Sequence, residues 1–583
     1  VRPNEQHPKH PFRNRNYLAL AHFFGQRTIP SQTFSSLFGL PASRPIDLTK
    51  LFPEATLGLL AEPSPHQWRT AHSLIAEECM AQLFVAPNHD PQLWRQSLSQ
   101  WAIDFIDVCR GNTPVPAEEG LDLVRRVCVY RDNSEMLGYE RAGSRQFARL
   151  LDAIPSAEGR LQVLRRLTEA FPDEAHFWAH LGRFYSFELR EYDNAIDAVN
   201  HSILLQPDDH VLHHMKGMVL RGQLYQKMEQ KRPLGEAIEV AQQAAAAFTE
   251  ARRLNPEDEH GYISEAQMIV RILDYAGTQA GSDSLTAATS QASPKWLRES
   301  LQTAEHLLAQ VRQNREGDPP SQYEESCIAA VQSVYGKYSD ALQRWDNVLS
   351  RKDVYRPPIR RQIVWTYLAR CNRRWDKVAD KDVQRAVKLL EENLQEEPND
   401  ERNLRLWLQG IRQLNTTPSL EAIIEKVAYW RANSESLEPA YYLYVLYALK
   451  ALDGYILARD EAERVLEECR SRSRFRRNRT RSFEWIGKGE GLARLVHVDR
   501  LGEWDRDADF WKDTESLERV GGVVAKITVP EAGIIETEGG LRAFYVPAKA
   551  GHHKGTSENS RVTCFLGFSY EGPRAWSVQD ATS

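Results

Sequence analysis

The sequence has few cysteines and no sign of a pairing pattern among them. Cys79, Cys109, Cys128, Cys327, Cys371, Cys469 and Cys564 are odd in number, widely spaced and never C-x-x-C. This excludes a disulfide framework and a zinc ribbon, and it makes a reducing cytoplasm the expected compartment. No apolar run approaches the ~18 to 20 residues that cross a bilayer, so no membrane partner is expected. The opening Val1-Arg2-Pro3-Asn4 lacks the apolar core of a signal peptide. G-x-x-x-x-G-K-[ST], H-E-x-x-H and G-x-S-x-G are all missing. Those spacings cradle phosphates, hold a catalytic zinc and present a nucleophilic serine, so the chain is read as a non-enzyme without a cofactor. A strong charge of either sign is also missing. The formal net charge is -6 over 583 residues. Any nucleic-acid role must therefore come from a local patch.

What is present is helical repetition between about residues 160 and 465. Trp178, Leu181, Gly182 and Tyr185 follow one another at spacings of three, one and three, which places them on one helix face. Gly182 there lets a neighbouring helix come close. Ala195, Val199 and Ser202 then share a face, and Pro207 closes the segment. The phase continues through His213, Lys216, Gly217 and Leu220, with Gly182 and Gly217 35 residues apart. Ala244, Phe248, Ala251 and Pro256 repeat the second half, and Tyr262, Ala266 and Ile269 open the next. Ala341, Trp345 and Val348, then Ala386, Leu390 and Pro398, then Leu404, Trp407, Leu408 and Ile411, and finally Ala458, Ala462 and Val465 fit the same scheme. The pattern resembles the tetratricopeptide consensus, whose period is ~34 residues. It predicts a solenoid over 161–468, curled into a groove for a protein partner. The Ser-, Thr-, Ala- and Gly-rich stretch 277–294 is expected to be a loop interrupting it.

The flanks differ. In 1–110, Tyr17 to Phe24, Pro30 to Leu40, Leu48 to Leu60 and Trp68 to Phe84 read as short helical regions, with a hairpin around Pro63 to Pro65. Residues 111–160 read as a helical connector. Over 519–583 the period shortens. Val520–Ile527, Gly533–Glu536, Leu541–Pro547, Arg561–Phe568 and Ala575–Val578 read as five strands of a small barrel of the OB type. The expected fold class is therefore mostly α: a tetratricopeptide-like solenoid flanked by an N-terminal winged-helix-like unit and a C-terminal all-β OB-like barrel.

The strip R-x-x-H-x-x-I-A-E-E from Arg69 to Glu78 resembles the winged-helix element of STAND-class P-loop NTPases. The terminal V-x-x-F-L-G-F-S-x-x-G-P-x-A, from Val562 to Ala575, is similar to the OB unit of the SAM-domain-containing-nine antiviral proteins and of bacterial STAND defence proteins. The resemblance implies the sensing half of an NTPase switch in defence signalling, with oligomerisation on activation and any NTPase core before Val1. It implies a nucleotide-facing role for His72, against which stands a plain structural histidine. Gly487-Lys488-Gly489-Glu490-Gly491 lacks the ending that holds phosphate and reads as a flexible turn.

One local feature points to a polyanion. Arg470, Arg472, Arg474, Arg476, Arg477, Arg479 and Arg481 fall within twelve residues, opening an Arg-rich and then acidic linker over 469–518. Guanidinium forks bind phosphates bidentately and stack on bases. Arg542, Phe544, Tyr545, Phe568 and Tyr570 on the barrel would extend such a surface. The competing reading pairs the arginines inside the chain with Glu503, Asp505, Asp507, Asp509, Asp513, Glu515 and Glu518, and places the aromatics in the core. His176 and His180 stand one turn apart, among His201, His210, His213 and His214, but lack the partners of a zinc site. His552-His553 reads as a solvated basic tip.

Overall fold

The computed structural model describes residues 10–33, 47–50, 52–84, 91–111, 118–129, 147–315, 317, 319–352, 354–416, 418–434, 436–474, 479–505 and 507–581. The chain divides into two compact units, Val1–Val348 and Leu349–Ser583, each described by itself.

The first unit opens with the helix His10–Gly25, in which Tyr17 to Ala21 are fully enclosed. A three-stranded antiparallel sheet follows. Its order is Ile29–Pro30, Gln67–Thr70, Leu60–Ser64, with Ile29 opposite Trp68 and Leu60 opposite Thr70. The expected hairpin is there, turning at Pro65 and His66. Gln67–Thr70 is a strand rather than the start of a helix, because every second residue, Trp68 and Thr70, reaches the core; the helix begins only at Ser73 and runs to Leu83. Most of the helix expected over Pro30 to Leu40 lies outside the described residues. In the connector, Glu118–Cys128 and Arg149–Ala153 are helices.

From Ala157 onward helices pair antiparallel. Gly182 explains one close approach. A Cβ there would sit 2.6 Å from Val199 Cγ2 and 3.0 Å from the Ala195 carbonyl oxygen, both on the Tyr192–Leu205 helix. Gly217 repeats the device one period on, with the Phe248 ring at 2.4 Å. The two glycines singled out by spacing are thus where helices of a pair touch. Residues 277–294 are not a loop. The helix Glu259–Ala280 runs through Gly277, and Gly281 ends it with a positive φ of 65°. Asp283 then caps a short helix, Ser284–Thr289, by accepting from the Thr286 amide at 2.7 Å. Ala287 and Ala288 are buried, so small residues here serve tight packing rather than looseness.

In the second unit, Arg356–Arg370, Asp380–Glu396, Glu401–Ile411, Leu420–Ala432, Glu438–Leu452 and Ile456–Arg472 continue the helices. Five strands then close a barrel: Arg519–Val529, Ala532–Thr537, Arg542–Tyr545, Arg561–Ser569 and Gly572–Asp580. The first pairs with the second and fourth, the second with the third, and the fourth with the fifth; a parallel contact of Phe544 with Arg574 joins third to fifth. This ring is OB-like and removes every free edge. Alternation is strict on the third strand, where Ala543 and Tyr545 point inward and Arg542 points out.

The segment expected to be a linker is folded. Glu484–Ile486 pairs with the fourth barrel strand and with Leu495–His497, while Trp504–Asp505 pairs with Phe510–Trp511. Trp485, Val496, Val498, Leu501, Phe510 and Leu517 form a core of their own against Phe565 and Trp576. These strands are two or three residues long, too short for alternation to reveal.

Candidate nucleic-acid interface

The arginine tract begins on the last turn of the Ile456–Arg472 helix. Arg470 Nε donates to the Glu571 carbonyl at 3.0 Å, and its Nη1 lies 2.9 Å from Glu463 and 3.5 Å from Glu467. Arg472 meets Glu468 at 2.8 Å, and Glu468 also holds Arg431. Arg479 pairs with the Glu571 carboxylate at 2.9 Å and donates to the Arg474 carbonyl at 3.2 Å. Arg481 lies 5.9 Å from the centre of the Phe483 ring. Arg476 and Arg477 lie outside the described residues.

Intrachain pairing therefore occurs, but with other acids than expected. The partners come from the preceding helix turns and from the barrel hairpin. Among the described residues, none of the acids from Glu503 to Glu518 reaches the tract; Glu503 instead pairs with Lys512 at 3.1 Å and Glu518 approaches Arg494 at 3.5 Å. The signal was in the sequence: Glu467 to Arg470 and Glu468 to Arg472 are three and four residues apart, the spacings at which helix side chains meet.

The barrel aromatics divide. Tyr545 is 1% exposed, Phe568 0% and Tyr570 2%. A ring enclosed on both faces has none to offer a base. Tyr545 points into the barrel, where its hydroxyl lies 3.3 Å from His552 Nδ1 and burial pushes its pKa up to about 12. His552 in turn lies 3.2 Å from Asp580, so it is a buried bridge rather than a solvated tip; His553 is exposed. Arg542 is exposed and Phe544 half-buried, with the Arg574 guanidinium 4.7 Å from its ring centre.

Phe568 and Tyr570 belong to a seam between the barrel and the Glu438–Leu452 helix. That helix is apolar all the way round, Ala440 to Ala451 being almost wholly buried, as a helix covered on every side must be. Tyr441 donates its hydroxyl to the Phe568 carbonyl at 2.8 Å. Tyr570 donates to Glu438, which also receives Arg405 in a two-point contact at 3.1 and 2.5 Å. Beside it, Glu484 accepts from Arg412 at 3.1 Å and from Tyr442 at 3.3 Å. Glu438 and Glu484 are each 1% exposed. Burial at such depth is tolerated only with complete pairing. Burial also raises Tyr441, Tyr442 and Tyr444 well above the usual phenol range. Apart from Phe568 and Tyr570, none of these residues stood out in the sequence; the one available sign was the unbroken apolar run of that helix.

The remaining candidates have local duties. His72 is exposed and caps the Ser73–Leu83 helix, its Nδ1 accepting from the Leu74 amide at 3.1 Å. His176 faces Asp209 at 3.5 Å, His210 faces Asp258 at 3.7 Å, and His201 lies on the Trp178 ring at 4.2 Å. His214 is buried against Ser264 at 3.2 Å, and burial pushes it down to about 3. Among the described residues no three His, Cys, Asp or Glu side chains converge as metal ligands. Gly487 sits where a Cβ would strike Val496 and the Ser516 carbonyl oxygen, at 2.4 and 2.6 Å, so it marks a tight strand end.

No protein-family model and no curated protein matches the chain. Solved structures match weakly. A monomeric IFIT1 mutant with m7Gppp-AAAA is similar at 15% identity and a TM-score of 0.24, over 61% of this chain and 65% of that one. This chain thus spans just under two-thirds of that protein's length. A STAND protein with a tetratricopeptide repeat sensor, PH0952 from Pyrococcus horikoshii, is similar at 12% identity and a TM-score of 0.26, over 81% of this chain and 60% of that one. The Cut9-Hcn1 tetramer of the APC/C is similar at 12% identity and a TM-score of 0.21, over 61% of this chain and 69% of that one.

Proposed function

We propose that this chain is the non-catalytic sensing region of a STAND-class NTPase in defence signalling. The paired helices hold a protein partner, the barrel takes the trigger, and the N-terminal unit, with its sheet order consistent with a winged helix, relays the signal. The observation that carries the reading is the seam at Glu438. Because Arg405 and Tyr570 both close on this buried carboxylate, a ligand on the barrel is mechanically joined to the last helix pairs, as a sensor requires. Seven widely spaced cysteines, never C-x-x-C, support a cytoplasmic setting. Sequencing the native transcript upstream of the Val1 codon tests the NTPase part. A strand followed by G-x-x-x-x-G-K-[ST] in frame is the expected result. A reading frame that opens without one leaves a stand-alone scaffold for protein partners, and the defence role falls with it.

A further inference from the structure

Much of the barrel's outer surface is already occupied. Phe510 stacks on Phe565 at 5.3 Å and Trp504 packs on Trp576 at 5.5 Å, covering part of the fourth and fifth strands. The Glu438–Leu452 helix covers the hairpin that joins them. On the first three strands, cross-strand register lines up one row of side chains. Lys526 is opposite Ile534, Ile534 is opposite Phe544, and Phe544 is opposite Arg574. Paired residues point to the same side of a sheet. Their neighbours Ile527, Ile535, Ala543 and Ala575 are buried inside, so the row faces out.

The row has the parts of a strand-binding surface in the right order: a cation at each end, an apolar residue and an aromatic between. Arg574 lies over Phe544 at 4.7 Å, and both side chains are half-buried. Among the described residues, Lys526, Arg542 and Arg574 have no carboxylate partner within 4.0 Å, unlike the arginines of the tract. Glu536 is exposed and lies opposite Arg542 in register, so it is an acid the ligand must pass.

We infer that this face binds single-stranded nucleic acid, a base stacking on the Phe544–Arg574 pair and the backbone phosphates running to Lys526 and Arg542. Stacking on an aromatic or guanidinium plane needs an unpaired base, which a duplex does not offer. This deepens the proposal that the barrel takes the trigger, and it rests on that reading.

Fluorescence anisotropy of the full chain with a labelled twelve-nucleotide single strand, as RNA and as DNA, tests it. Binding should weaken with salt, with a log–log slope of about -1.4 for two phosphate contacts. Phe544→Leu should weaken it roughly five- to hundredfold, the usual cost of losing one base stack. Lys526→Glu should weaken it about tenfold or more. Arg470→Gln with Arg479→Gln should leave it unchanged. A duplex of the same length bound as tightly as the single strand, an acidic peptide competing equally well, or single-strand binding indifferent to Phe544→Leu in a variant with unchanged circular dichroism would each overturn the assignment. A transcript without a P-loop, together with intact Phe544-dependent binding, would remove the NTPase reading and keep this site.

Discussion

The arginines of residues 470–481 and the cations of the open barrel face differ in what they already hold. In the tract, Arg470, Arg472 and Arg479 close on Glu463, Glu468 and Glu571. On the barrel, Lys526, Arg542 and Arg574 are spread through ordinary strands, only Arg542 stands out in the sequence, and none has such a partner among the described residues. Density of charge along a chain is therefore a poor guide to a binding surface. What counts is the charge left over once the fold has made its own ion pairs.

That contrast can be pressed from its deepest case outward. Glu438→Ala strands the Arg405 guanidinium and the Tyr570 hydroxyl in the seam. Removing one partner of a buried pair typically costs about 3–5 kcal/mol, and the urea midpoint of unfolding should drop accordingly. A loss below about 1 kcal/mol would mean the seam is wet, and the coupling of barrel to helices would lose its basis. Gly217→Ala provides an uncharged yardstick. Its Cβ would meet the Phe248 ring at 2.4 Å, and overpacking of this kind costs roughly 1–3 kcal/mol by thermal or urea unfolding.

A smaller effect is expected at His214, a cation the fold refuses outright. Burial is the main cause of its depression to about 3, with His260 and Arg221 adding like-charge repulsion. Its folded value lies below the unfolded one near 6.5, so the unfolded state binds the proton first. Stability should fall as pH drops from about 6.5 toward 3, by at most ~1.4 kcal/mol per pH unit from this residue. His214→Gln should flatten that slope in melting curves taken across the range; an identical slope would remove His214 from the account. Smallest of all, Arg470→Gln and Arg479→Gln should each change stability by no more than about 1 kcal/mol, because their ion pairs are largely solvated. A change of several kcal/mol would show that the tract is a buried brace, and the comparison would need redrawing.

The sequence disclosed elements that rest on local spacing. Trp178, Leu181, Gly182 and Tyr185 announced a helix and its close neighbour, and the contact of Gly182 with Val199 follows from that face. The five barrel strands were legible from alternation over four or more residues. The strands at Glu484–Ile486 and Leu495–His497 were not, since two or three residues carry no period. The helix through Gly277 is not legible in the pattern, because glycine and serine there permit close packing rather than break the helix. Of the barrel residues proposed for nucleic acid, Arg542 and Phe544 reach the surface while Tyr545, Phe568 and Tyr570 do not. Alternation assigns opposite faces to neighbours but does not say which face is inside when a helix covers the outer one.

By itself, then, the sequence determined the helix pairs and the strands of the barrel, because periods of 3.6 and 2 are set by backbone geometry within a single element. The tertiary structure alone decided which charges are spent. Tyr570 and Glu438 are 132 residues apart along the chain, and Arg574 meets Phe544 only when the third and fifth strands close the ring. Pairing of that kind depends on chain closure over long separations, and no local pattern encodes it.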